Sequence, residues 1–153
     1  MTNLERESET IIADKPFETW YLTSAGSVGS EFLIELRDNK RILGITCPEC
    51  GRVLVPARST CAICFRQTEG WREVSQTGTV MSYTAVYGAL PGQPAGSPLL
   101  YGIILLDGAS TGLVHRLGEV DPKELSIGLR VQAVFSEDRK GDIRDIKYFR
   151  PAE

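Results

Sequence analysis

The segments Cys47-Pro48-Glu49-Cys50 and Cys61-Ala62-Ile63-Cys64 hold all four cysteines of the chain, in the spacing C-x2-C-x10-C-x2-C. Each C-x2-C pair can fold into a tight knuckle whose two thiolates point inward. The ten residues between the pairs are enough for a β-hairpin that brings the knuckles together. Four sulfurs then stand at the corners of a tetrahedron, about 2.3 Å from a zinc ion. Spacing alone leaves iron as the other metal that takes this S4 geometry. Four thiolates saturate a tetrahedral ion, so no position stays open for water or substrate and the expected role is structural. Metal binding supplies folding free energy, on the order of 10–16 kcal/mol in isolated zinc modules. So short a segment cannot raise that from a core of its own. Gly51 follows the first pair, where a knuckle favours a permissive backbone. Phe65 holds the equivalent place after the second pair, which predicts a more strained or differently shaped turn. Residues 41–46 (Arg-Ile-Leu-Gly-Ile-Thr) read as a strand leading into the first knuckle.

Composition favours ligands over cross-links. A disulfide-bonded extracellular scaffold of 153 residues would carry more cysteines and spread them along the chain. The N-terminus, Met-Thr-Asn-Leu-Glu-Arg-Glu-Ser-Glu-Thr, is polar and acidic, unlike a secretory or mitochondrial leader. No apolar run nears the roughly 20 residues of a membrane-spanning helix. The expected location is therefore cytoplasmic. Seventeen basic against twenty acidic residues give a net charge of −3, so the chain lacks the basic stripe of a duplex-DNA binder.

Upstream of the cysteines, residues 1–40 read as an N-terminal arm with short helices. Residues 1–14 are aperiodic. Three aromatics, Phe17, Trp20 and Tyr21, then crowd into five residues, either to pack on the ribbon or to anchor the chain on a partner. Residues 24–30 read as a loop. Ser30 is the expected N-cap of a helix over 31–37, with Phe32 and Leu36 on one side and Asn39-Lys40 closing it. Little apolar surface backs this arm, so it is expected to order fully only in a complex.

Residues 41–73 form the ribbon, and 74–153 show short strands between turn signals. Strands are expected over 78–87, 99–106 (apolar on both faces for part of its length), 111–117, 130–135 and 143–149, with a one-turn helix at 121–124. The order β-β-β-helix-β-β is that of a five-stranded OB-fold barrel. Residues 88–98, rich in Gly and Pro, form a loop and a candidate gate. The fold class is mainly β: a zinc ribbon, then an OB-fold barrel, behind a short helical arm.

Phe32…Leu36, Cys47-Pro48-Glu49-Cys50-Gly51, Pro56-Ala57-Arg58, Cys61-Ala62-Ile63-Cys64, Trp71, Gly78-Thr79-Val80-Met81-Ser82-Tyr83-Thr84, Gly128 and Tyr148-Phe149-Arg150-Pro151 together carry a resemblance. Over roughly residues 15–153 the chain resembles the acyl-CoA-associated OB-fold family with an N-terminal rubredoxin-like zinc ribbon. It departs from that family at Ala57, often proline, and at Phe65, often glycine. The resemblance implies a companion of thiolase-like enzymes: thiolases, hydroxymethylglutaryl-CoA synthases, sterol-side-chain lyases and acyltransferases. In such hetero-oligomers the small subunit docks on the catalytic one and helps form the CoA channel. Small subunits of aromatic-degradation thiolases, such as benzoylsuccinyl-CoA thiolase, share this layout and length.

The residues agree with a non-catalytic part. Thiolase chemistry needs a nucleophilic cysteine and a base, and the metal takes every cysteine. His115, in Leu113-Val114-His115-Arg116-Leu117, is the sole imidazole and reads as a packed or surface residue of its strand. Arg130, Arg139 and Lys140 are the candidate contacts for CoA phosphates. The rival reading is a single-stranded nucleic-acid module, with Tyr83, Tyr87 and Tyr101 stacking bases and Arg130, Arg139, Lys140 and Arg144 forming a basic groove. A third is a rubredoxin-like electron carrier holding iron.

Overall fold

The computed structural model describes residues 19–87 and 98–152. The expected aperiodic arm at 1–14, the aromatic Phe17 and most of the 88–98 loop lie outside the described residues. Among them there is one α-helix, α1 (Gly26–Asn39), and none is long and apolar enough to cross a membrane.

Helix α1 begins five residues before the expected start, so most of the presumed 24–30 loop is helical and Ser30 lies inside it. The N-cap is Ala25, which offers no side-chain bond, and the Oγ of Ser24 before it accepts the Gly26 N–H at 3.1 Å. Packing explains the extension. Val28, Phe32 and Leu36 repeat at four-residue spacing, and all three pack in or against the core. Tertiary burial thus outweighs the poor helix propensity of Gly-Ser-Val-Gly-Ser. Lys40 ends the helix in the left-handed region (φ 53°) and donates its N–H to Glu35 O. The expectation that the arm orders only in a complex therefore fails for 26–40, since Phe32 and Leu36 are core residues.

The ribbon is a three-stranded sheet ordered β2-β1-β3, built from β1 (Ile42–Thr46), β2 (Val53–Leu54) and β3 (Glu69–Val74). The expected hairpin between the knuckles is absent. The stretch after the first knuckle supplies β2, which pairs back onto β1 through Ile45↔Leu54 and Thr46↔Val53. Only an isolated bridge, Thr60↔Gln67, spans the second knuckle. Strand β3 escapes the sequence reading because Glu69-Gly70-Trp71-Arg72-Glu73 is exposed and shows no apolar alternation. Val74 alone turns inward.

Five strands close the barrel in the order β4-β5-β6-β8-β7, from β4 (Thr77–Val86), β5 (Leu99–Leu106), β6 (Leu113–Leu117), β7 (Arg130–Phe135) and β8 (Ile146–Pro151). All pairs are antiparallel except β6 with β8. This is the OB-fold connectivity. Strict alternation aims Leu100, Ile104, Leu106, Leu113, Leu117, Val131 and Phe149 inward. Strand β5 is not buried on both faces: Tyr101 and Ile103 stand on the outside. Gly78 marks where β4 is squeezed between its neighbours; a Cβ there would lie 2.5 Å from Leu105 O. The expected helix at 121–124 is a hydrogen-bonded turn, Glu124 N–H to Asp121 O at 2.9 Å. The last strand starts three residues late because 143–145 coils into a 3-10 turn. Asp142 caps that turn.

Ribbon and barrel share one core and are joined along the turn between β5 and β6. Ser110 exchanges two hydrogen bonds with Val53, N–H to Val53 O (2.8 Å) and Oγ from Val53 N–H (3.1 Å). Thr111 Oγ1 accepts from Val55 N–H (2.8 Å) and donates to Val55 O (2.9 Å). This turn thereby gives β2 the edge partners that a two-stranded ribbon edge would lack.

Candidate metal centre and its surroundings

Two equivalent turns build the centre. In the first knuckle Gly51 N–H donates to Cys47 O and Cys47 N–H to Arg52 O, both at 2.9 Å. In the second, Phe65 N–H donates to Cys61 O and Cys61 N–H to Arg66 O, again both at 2.9 Å. The fifth residue of each is left-handed: Gly51 at φ 67° and Phe65 at φ 54°. The second knuckle is therefore strained, not reshaped. An exposed phenylalanine takes the conformation that glycine adopts freely.

The four Sγ atoms of Cys47, Cys50, Cys61 and Cys64 all lie within 4.8 Å of one another. The Cys50 and Cys61 sulfurs are 3.9 Å apart. A tetrahedron with metal–sulfur bonds of about 2.3 Å has edges of about 3.8 Å, so the cage fits zinc. Cys47 and Cys61 are fully buried, whereas Cys50 is exposed and Cys64 half-buried, so one edge of the cage reaches the surface. The Cys61 thiol is pulled down to about 7, chiefly by the backbone N–H of Cys64 and then that of Ile63. Cys64 is pushed up to about 12, because its hydrogen bond to Cys50 and its burial favour the protonated form. A dication at the centre reverses the second shift.

The three candidate phosphate-binding cations are not brought together. Arg130 opens β7 while Arg139 and Lys140 follow its end, roughly 17 Å of strand away. Arg130 is fastened to Asp107 by two hydrogen bonds, 2.8 and 2.5 Å. That pair, with the Thr77 hydroxyl, holds the Asp107 carboxyl at about 2. Arg139 donates to Arg37 O (2.7 Å) and Ser136 O (2.9 Å), capping the C-terminal end of α1. Lys140 pairs with Asp138 at 3.2 Å in full solvent exposure.

Sequence reasoning missed Asp145. Buried in the β7–β8 connection, its carboxylate accepts the N–H groups of Lys140, Gly141 and Asp142. Its signal was the Asp-x-x-Asp spacing of a capping box, Asp142 to Asp145.

His115 points into the barrel, edge-on to Phe149 with ring centroids 5.5 Å apart. Its Nε2 lies 3.2 Å from Ile143 O, and its buried Nδ1 has no partner among the described residues. Burial lowers its pKa, so the ring is neutral and donates through Nε2. Among the described residues no carboxylate orients it as a base. Tyr83 and Tyr101 meet at a shallow trough of 170 Å³ lined by Ser82, Tyr83, Thr84, Tyr101, Gly102, Ile103 and Val114. That lining carries no charge, so the tyrosines and the cations do not form one groove.

Comparison with known proteins agrees with this geometry. Residues 35–69 match the family model described as the rubredoxin-like zinc ribbon domain of ChsH2, and residues 71–136 match its C-terminal OB-fold domain. A "DUF35 domain-containing scaffold protein" of Methanocaldococcus jannaschii is 30% identical over 124 residues, covering 77% of this chain and 86% of the relative. A DUF35-family protein of unknown function from Sulfolobus solfataricus has a crystal structure that superposes with a TM-score of 0.60 at 26% identity. That match covers 82% of this chain and 84% of the other. The "Ltp2-ChsH2(DUF35) aldolase" gives a TM-score of 0.57 at 23% identity, over 80% and 93% of the two chains, and shares the fold.

Proposed function

This chain belongs to the DUF35 family, with the zinc ribbon and OB-fold of ChsH2, and from that premise we propose that it is a non-catalytic scaffold subunit of a thiolase-like acyl-CoA enzyme. The observation that carries the reading is the use of the chain's nucleophiles. All four cysteines converge on one metal cage, and the single histidine is buried, neutral and hydrogen-bonded to a carbonyl. Neither can serve a thioester as nucleophile or base, so the partner supplies both.

When bound, zinc would offset half of the charge of the four thiolates and tie the two knuckles together. The chain's own residues do the rest. Cys47 and Cys61 fix the ribbon from inside, Ser110 and Thr111 lock it to the barrel, and a rigid two-part body meets the partner. Support for a catalytic partner comes from the named scaffold role of the archaeal relative and from the aldolase assembly that contains a DUF35 chain. Lys140 is the cation that stays available to a CoA phosphate, because an exposed pair such as Lys140–Asp138 contributes little. The acyl group belongs, in this reading, to aromatic-compound degradation.

Affinity purification of tagged wild-type and Cys61→Ser chains from the source cells tests the reading. A thiolase-like subunit is expected with the wild type and not with the variant. A chain recovered alone, or with single-stranded nucleic acid, contradicts it. So does assembly that survives complete loss of the metal.

A further inference from the structure

Strand β4 leaves the barrel before it ends. Its pairing with β7 covers only Thr77, Gly78 and Thr79, and Val80 adds main-chain bonds to Gly128 and Leu129. Beyond a bulge between Val80 and Ser82 it pairs only with β5. From Met81 to Ala85 its other edge has no strand beside it among the described residues. Met81, Ser82, Tyr83 and Thr84 are all exposed, so both faces as well as the edge meet solvent. Sheet edges of this kind are normally blunted by lysine, proline or an inward charge, and this one has none of them.

The side chains on that edge read the same in either direction: an apolar residue, a hydroxyl, an aromatic ring, a hydroxyl, an apolar residue. Antiparallel pairing about a two-fold axis through Tyr83 places Tyr83 opposite its own copy. It also sets Ser82 opposite the copy's Thr84, with Met81 and Ala85 as flanks. Aromatic and hydroxyl cross-strand pairs of this sort are each favourable. No like charges meet. We propose that the open edge of β4, residues 81–85, is a homodimer interface in which two copies of this chain join their barrels into one continuous sheet. A five-residue edge falls at the small end of interface sizes, below about 1,200 Å² in total, which is the class of a weak, concentration-dependent dimer. None of the four cysteine ligands lies on this edge.

Sedimentation equilibrium of the zinc-loaded full chain over a hundredfold concentration range tests it. A reversible species of twice the 16.8 kDa chain mass is expected. Tyr83→Lys, which sets two ammonium groups face to face, should weaken association at least tenfold. Ile103→Lys removes similar apolar surface one strand away from the edge and should leave the dimer intact. Amide exchange in the wild type gives a readout independent of these variants: the outward amides of 82–85 should gain protection as concentration rises. A monomer at every concentration overturns the proposal. So does a dimer indifferent to Tyr83→Lys, or an edge protected only when a different protein is bound.

Discussion

Phe65 and His115 each sit where their chemistry is a poor fit, and each yields a measurable consequence. Phe65 holds a left-handed backbone (φ 54°) while its ring is exposed, so it bears strain without packing in return. Phe65→Gly should raise the stability of the zinc-loaded chain by about 0.5–1 kcal/mol, read from the urea midpoint. A lower midpoint would show that the ring packs. His115 is neutral because burial holds its pKa below the ordinary 6.5. The unfolded chain therefore takes up the proton first as pH falls. Stability from this group is whole above about pH 6.5 and is lost below it, until the folded ring protonates as well. Urea midpoints at pH 7.5 and 5.5 should differ more for the wild type than for His115→Leu. Zinc release in acid is common to both chains, so the gap between them reports the imidazole. An equal drop in the two chains would contradict a buried, neutral His115.

Strands that alternate were legible from sequence, and the elements that hold the two parts together were not. Arg130–Phe135 is legible to the residue because its apolar positions recur every second place, and Leu99–Leu106 because it is an apolar run bounded by turn residues, although that run hides which side faces outward. The cysteine cage was legible for a different reason: ligand spacing survives any detail of the intervening loop. Helix α1 was placed but cut short, since Gly-Ser-Val-Gly-Ser has loop propensity and only the docking of Val28 makes it helical. Strand β3 was invisible because its partner, β1, supplies the apolar side of that pairing. Ser110 lies outside every expected element and Thr111 opens the expected strand 111–117, yet their hydroxyls and the Ser110 backbone complete the edge of β2. Thr111→Val keeps the shape and leaves the Val55 amide and carbonyl unpaired. It should cost about 1–3 kcal/mol in urea unfolding. A change of a few tenths would mean that water replaces the hydroxyl and that the turn does not lock ribbon to barrel.

Taken whole, the molecule is a barrel with a metal-stapled ribbon bonded to its side, and metal loss should be felt in both parts. Because Val53, Leu54 and Val74 belong to the same core as Leu106 and Leu113, chelation should free ribbon amides to exchange first and then lower the barrel's thermal midpoint. Exchange confined to 41–73 with an unchanged barrel midpoint would show two independent units. The scaffold reading rests on the same architecture, with its thiols spent on structure and its surface offered to another protein. The most direct test is thioester turnover by the zinc-loaded chain, alone and recombined with the subunit that co-purifies with it. No turnover by the chain alone, together with a recombined rate well above that of the catalytic subunit by itself, is the expected result. Turnover by the isolated chain, or a catalytic subunit equally active without it, would contradict the scaffold role.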